Sequence, residues 1–361
     1  MSKTPVSALN RQKANIAIIG LGMVAETHLR AIADLADLVH LRGIHARKMS
    51  VTEGFATKAE ALCGARPIIY NSIEEIAADE LVDFVLLLTP PNARLAILQV
   101  MAGAGKHVLM EKPVERNLVA ARELVELCAL NKVQLGIVFQ HRLRAASVRL
   151  SKLMDSGELG KLGLVEVAVP WWRDQSYYDE QGRGTLERDG GGVLISQAIH
   201  TLDLLISLTG EISQVVAMAR TTRFHSMECE DFVTAGLDFA CGATGSFVAS
   251  TASFPGDAES ITLHFDKGVT RLKSGVLHVN WRDGREETYG ADTATGGGAD
   301  PMAFTHDWHR EIIADFANCV VHDRPPLVTG REALKVHALI EALIESSASG
   351  QAVQVEMEGN K

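Results

Sequence analysis

The stretch "AIIGLGMVAETHLRAI", residues 17–32, decides how the rest of the chain is read. A short apolar run ends at Gly20, and a helix-like segment starts at about Val24. In a dinucleotide-binding turn Gly20 would permit the tight bend and Gly22 would let the backbone approach a pyrophosphate. Ala25, in place of a third glycine, would still allow close helix packing. The phosphates would rest on free N–H groups at the helix N-terminus, bringing in Met23 and Val24. Two small residues needed only for tight packing would leave the same letters. Context separates the readings, because the fingerprint must follow a strand and open a helix.

That context extends outward. From Asn15 to about Gln140, short apolar runs ("IAIIG", "VHLRGI", "FVLLLT", "HVLME", "VQLGIVF") alternate with helix-like segments. The runs are apolar nearly throughout, as strands buried on both faces are. In "LVAARELVELCALN" the apolar residues Leu118, Ala121, Leu124, Val125 and Cys128 recur at helical spacing. Strands alternating with helices predict a parallel, doubly wound sheet. After about residue 160 the pattern changes. "SITLHF" and "VLHVNW" alternate apolar and polar residues with period two, which predicts an antiparallel sheet with one wet face or a subunit contact. The end of the chain, roughly His306 to Ser349, reads as helical, and "DTATGGGADP" with "DPMAF" as a flexible loop.

Bulk properties narrow the function classes. At 361 residues the chain is long for one domain, so two are expected. Apolar residues make up 47% and charged residues 22%, ordinary for a soluble globular protein. A net charge of −10 lacks the basic footprint of a nucleic-acid binder. The five cysteines are scattered and odd in number, which fits reduced thiols and a cytoplasmic location. The first 15 residues carry no apolar leader pattern, and no apolar run is long enough for a bilayer.

Two further stretches could carry chemistry. "HVLMEKP" ends a strand of the parallel sheet, where ligands bind beyond the carboxyl ends. Pro113 biases Lys112 toward an extended conformation, so Glu111 and Lys112 would point to opposite sides and one could face the cofactor crevice. An exposed charged pair at a strand end would read the same way. In "GGGVLISQAIHTLDLL", Gly190 to Gly192 precede a helix on which Ser196, His200 and Asp203 fall at i, i+4 and i+7. A histidine there could act as a general base near neutral pH, although a lone histidine is more often a satisfied core residue.

These residues carry a resemblance. "GLGMVAETHL", "LLLTPPNARL", "GKHVLMEKP", "GELGKLG", "GGGVLISQAIHTLDLL" and "RPPLVTGREAL" resemble the glucose–fructose oxidoreductase / inositol dehydrogenase / rhizopine catabolism (Gfo/Idh/MocA) family along nearly the whole chain. The resemblance implies an N-terminal Rossmann domain (residues 1–140) and a C-terminal α+β domain (141–361) with a large, mostly antiparallel sheet. It also implies a nicotinamide enzyme acting on a sugar, sugar acid or cyclitol, a homodimer or homotetramer, and no metal. Lys112 matches the family's catalytic lysine and His200 its catalytic histidine. Ser196 stands where an acid is usual, which leaves proton transfer to Lys112 and His200. Thr89, Pro90 and Pro91 match a loop that lines the cofactor. Gln140-His141-Arg142 match the stretch leading toward the substrate, with Gln140 on the cofactor side. On the glycine-led helix, Ser196, Gln197 and Asp203 are the candidate substrate contacts. The rival reading is a non-catalytic dinucleotide-binding sensor, against which Lys112 and His200 both argue.

"VPWWRDQSYYDEQGRGT" is similar to a subgroup that includes nucleotide-sugar uronate dehydrogenases. Trp172 and Tyr178 would offer aromatic faces to a sugar ring. Arg173 and Arg183 would suit a carboxylate or phosphate. Alternatively, both arginines pair with Asp174, Asp179 or Glu187 in a solvated loop. The cofactor choice turns on "GIHARKMS". An acid is expected at the end of the second strand, on the ribose hydroxyls. Ala46 stands there instead, followed by Arg47 and Lys48, which could pair with a 2′-phosphate. NADP is therefore favoured, with NAD possible.

Overall fold

The computed structural model describes residues 13–293, 295–297, 302 and 304–356. The first 12 residues, read above for the lack of a leader, lie outside it. So do residues 294, 298–301 and 303, which fall in the loop read as flexible. In chain order the strands are β1 (Ala14–Ile19), β2 (Val39–His45), β3 (Ile68–Ile69), β4 (Phe84–Leu87), β5 (His107–Met110), β6 (Leu135–Ile137), β7 (Leu162–Pro170), β8 (Ile212–Arg220), β9 (Phe232–Phe239), β10 (Thr244–Ser250), β11 (Ser260–Phe265), β12 (Gly268–Lys273), β13 (Val276–Trp281), β14 (Glu286–Gly290) and β15 (Val353–Gln354). The helices are α1 (Ala25–Asp34), α2 (Met49–Cys63), α3 (Ile73–Ala78), α4 (Arg94–Gly103), α5 (Leu118–Leu130), α6 (Ala145–Asp155), α7 (Gln175–Tyr178), α8 (Ile199–Thr209), α9 (Asp307–His322) and α10 (Gly330–Ser349).

Two compact units emerge, neither continuous in sequence. The first takes residues up to Val114, Arg122–Val138 and His306–Arg331. Its six strands are all parallel, in the order β3-β2-β1-β4-β5-β6. The order reverses between β1 and β4, which opens a crevice beyond their carboxyl ends. All four residues of β4 are buried, as a strand covered on both faces requires. The helix α9 joins this unit through Phe316, whose ring meets Phe84 edge to face at 5.1 Å. Gly136 makes room for it, since a Cβ there would stand 2.6 Å from the Phe316 ring.

The second unit is built on nine strands in the order β14-β13-β12-β11-β7-β10-β9-β8-β15. Every pairing is antiparallel except β7 with β10. The period-two alternation places Val165, Val167, Phe247, Val233 and Leu237 in the core. The opposite face leaves Leu164, Val216, Met218 and Val248 exposed. Eight consecutive residues of α8, Ile199 to Ile206, are buried, and they include His200 and Asp203.

Candidate active site

In the first unit, the glycine turn follows β1 directly and enters α1 at Ala25, with Val24 as its N-cap. Gly20 has φ +97°, and a Cβ there would stand 3.0 Å from the backbone of Leu88 and Thr89. Only glycine meets both conditions. At Gly22 a Cβ would meet nothing within 4 Å, so the turn presents open backbone on that side. Val24 gives α1 no side-chain cap, and Met23 beside it is exposed. An uncapped helix N-terminus with an open glycine before it fits a pyrophosphate. Beside the turn, Gly20 N–H donates to His45 O at 2.9 Å, at the very end of β2. Ala46 therefore begins the turn beyond that strand, and Arg47 and Lys48 are exposed at the start of α2. No ion pair of either is found among the described residues.

The loop after β4 carries a second polar signal. The Thr89 hydroxyl is buried without a hydrogen-bond partner among the described residues, while Pro90 is exposed and Pro91 buried. Wholly buried Arg94 holds this loop. It donates from Nε and Nη2 to Thr89 O at 3.1 and 2.9 Å, and from Nη1 to Val114 O at 3.3 Å and to Pro113 O. One guanidinium thus ties the Thr89 loop to the segment after Lys112. Lys112 itself is half-buried just past β5. Glu111 turns inward, where its carboxylate meets His28.

In the second unit, the three glycines have steric reasons. Gly190 has φ +82°, and its Cβ would stand 2.4 Å from the Arg116 backbone. At Gly192 a Cβ would stand 1.8 Å from Glu230 O. Glu230 caps the helical segment after the glycines, accepting the N–H groups of Gly192 at 3.2 Å and Leu194 at 3.0 Å. A carboxylate there satisfies end donors and opposes the helix dipole, although burial raises its pKa. The segment Leu194–Ala198 is a π-helix that runs into α8. Ser196 therefore does not hold the plain i, i+4 relation to His200 that α-helical spacing predicts. Single π turns inside helices recur at functional sites.

His200 is buried, stacked on His141 at 4.8 Å and met edge-on by Phe139 at 5.9 Å. Asp203 accepts two hydrogen bonds from Arg142, at 2.6 and 2.8 Å, and Glu332 lies 3.8 Å from the same guanidinium. Burial opposes the Arg142 charge, but the Asp203 carboxylate outweighs it and raises the pKa. These two expected substrate contacts are thus each other's partners. Gln197 Oε1 and Gln140 Oε1 are buried without partners among the described residues, so both have an acceptor to spare. Gln197 Nε2 reaches Tyr177 Oη at 3.4 Å.

The arginine-aromatic loop is more tightly organised than a solvated loop. Arg173 is buried and donates to Trp172 O and Gly296 O, each at 2.7 Å. It lies over the Trp171 and Tyr177 rings, while Arg183 covers Tyr177 at 4.1 Å and pairs with Glu180. On the alternative of a self-paired loop, the acid that takes Arg183 is Glu180 rather than Asp174, Asp179 or Glu187, and Arg173 donates to backbone carbonyls. Tyr178 Oη meets Thr251 Oγ1 at 2.6 Å, and Trp172 packs on Phe254. His225, which sequence reasoning passed over, faces Asp231 at 2.7 Å and Arg173 O at 2.8 Å, so it braces the loop. Its distance in the chain from "WWRDQSYY" hid the link, as it hid Glu230.

Two family models match the chain. One, an oxidoreductase family with an NAD-binding Rossmann fold, matches residues 14–139, and the other, the GFO/IDH/MocA C-terminal domain, matches residues 147–271. The chain belongs to the Gfo/Idh/MocA oxidoreductase family. It is a nicotinamide-dependent dehydrogenase with a Rossmann domain. Among solved structures, the WlbA dehydrogenase of Bordetella pertussis, in complex with NADH and UDP-GlcNAcA, is 28% identical. It covers 96% of this chain and 100% of its own, with a TM-score of 0.79. Among curated relatives, the inositol 2-dehydrogenase of Rhizobium meliloti is 24% identical over 310 residues, 86% of this chain and 80% of the relative. The D-apiose dehydrogenase of Paraburkholderia graminis is 25% identical over 353 residues, 94% and 89% of the two chains. Among the described residues, no helix is long and apolar enough to cross a membrane.

Proposed function

We propose that the enzyme transfers hydride between a nicotinamide cofactor and a hydroxyl-bearing or keto carbon of a sugar, sugar acid or cyclitol. The buried Gln197 acceptor without a partner, next to His200 on one helix, is the observation that carries a polyhydroxylated substrate. The likeness to enzymes named for inositol and apiose, and to one bound to a nucleotide-sugar acid, supports the class. The cofactor, when bound, supplies the hydride acceptor or donor. In the oxidative direction His200 takes the hydroxyl proton, and Lys112 donates a hydrogen bond to the reacting oxygen and stabilises its developing charge. Arg173 gives two of its donors to carbonyls, so the aromatic faces of the loop bear on substrate choice alongside its arginines. Turnover assays across sugars, sugar acids, nucleotide-sugar acids and cyclitols test this. No turnover of any of them with either cofactor would favour the sensor reading.

We also infer use of NADP, alone or together with NAD. Three features support it: β2 ends at His45, no carboxylate stands at Ala46, and Arg47 and Lys48 are exposed beside the N-terminus of α2. Without the acid, the main source of repulsion toward a 2′-phosphate is missing. The expected result is a kcat/KM with NADP at least equal to that with NAD at the same substrate concentration. A preference for NAD of roughly 100-fold, about 2.7 kcal/mol, would sink this reading.

For assembly, the exposed apolar residues Leu164, Val216, Met218 and Val248 share the open face of the nine-stranded sheet. A flat face of this kind suits an isologous contact with a second copy. A dimer or tetramer is expected by sedimentation at micromolar protein, and a monomer there would contradict it. The free state of all five cysteines supports a cytoplasmic setting.

A further inference from the structure

Three elements of the first unit meet on the carboxylate that precedes Lys112. Glu111 Oε1 accepts from His28 Nε2 at 2.8 Å and lies 3.9 Å from His309 Nε2. Glu111 Oε2 accepts the backbone N–H of Lys112 at 3.1 Å. His28 sits in the first turn of α1, directly behind the glycine turn, and His309 in the first turn of α9. The two imidazoles meet edge to face at 4.8 Å, and all three side chains are buried.

Two histidines and a carboxylate with ligand atoms within 4.8 Å of one another also have the composition of a metal site. The surroundings argue against one. A metal-bound histidine donates its other ring N–H to an acceptor, yet His28 Nδ1 is buried with no partner among the described residues. Because a carboxylate only accepts, Nε2 is the nitrogen that carries a proton toward Glu111. Burial works to raise the Glu111 pKa, but the hydrogen bond and charge of His28, with His309 and Lys112 nearby, hold it down to about 2. Glu111 is thus held as the acceptor of the cluster.

We propose that His28, Glu111 and His309 are positioning residues for Lys112: two helices fix the carboxylate, and the carboxylate fixes the lysine's own peptide N–H. A carboxylate held at both oxygens cannot turn about its last bond, so the backbone direction at Lys112 is set from behind. Small misplacements at a reacting centre are costly, with 1 Å worth up to about 10²-fold. The proposal rests on the role given to Lys112 above.

The test compares His28→Leu with His28→Gln in the full-length enzyme. Leucine fills the space without a donor, and the glutamine amide can place one near the former Nε2. His28→Leu is expected to lower kcat by roughly 10-fold or more, with KM and the cofactor Kd changed by less than about threefold. His28→Gln is expected to recover to within about threefold of the parent. In a Lys112→Met background, His28→Leu should add no further loss to the residual rate, because coupled residues are not additive. Should His28→Leu fail to fold, His309→Leu against His309→Gln makes the same comparison. Parental kcat in the leucine variant, an additive loss in the Lys112→Met background, or no recovery with glutamine would overturn the proposal. So would one equivalent of zinc in the purified enzyme that is lost with His28→Leu. Full turnover by Lys112→Met would instead overturn the reading of Lys112 itself.

Discussion

Replacing Lys112 by Met is expected to lower kcat by roughly 10²-fold or more, the usual scale of a donor or acid–base group at the reacting atom. Methionine keeps the length and much of the apolar stem but loses the ammonium. Lys112 stands just past β5, with its peptide N–H on Glu111 and the following segment tied down by Arg94. The glycine turn lies on a separate loop, so binding of the nicotinamide cofactor should survive. Steady-state kcat and a fluorescence titration with reduced cofactor separate the two effects. Near-parental turnover would remove Lys112 from the chemistry, and lost cofactor binding would make it a binding residue.

Arg142→Ala carries the largest expected loss of stability. Asp203 is wholly buried in α8 and its charge is met by two hydrogen bonds from Arg142. Removing the arginine leaves a buried carboxylate without its main partner, a change worth about 3–5 kcal/mol. Replacing both members by apolar residues of similar size should cost far less, because the penalty comes from the stranded charge rather than from the absence of a pair. Denaturant unfolding of the single and double variants measures this. A single variant within about 1 kcal/mol of the parent would mean that water reaches Asp203 or that the carboxyl takes up a proton, and that the pair is not a structural anchor. Such a result would return Asp203 to the candidates for substrate contact.

Much of the architecture was legible in the residues. Strands buried on both faces read as unbroken apolar runs, and "FVLLLT" became β4 with all four of its residues buried. Half-wet strands alternate with period two, and "SITLHF" and "VLHVNW" became β11 and β13. The glycine turn was legible because its two glycines stand between an apolar run and a helix-like segment. The two-residue strand β3 was not, since two isoleucines carry no periodicity. Nor was the π-helical turn before α8, because an extra residue per turn leaves no mark over a segment of five residues.

The sequence by itself determined the class of both sheets, the open glycine at the start of α1, and the family to which Lys112 and His200 belong. It determined these because strand periodicity, turn geometry and short motifs are written in neighbouring residues. Only the tertiary structure decided which polar residues are already taken. Asp203 and Arg142, each singled out for substrate, satisfy one another. Arg173 gives two donors to carbonyls, and Glu111 is claimed by two histidines from opposite ends of the chain. A buried polar group must find a partner wherever the fold supplies one. Such partners come from segments remote in the chain, which no local spacing can pair.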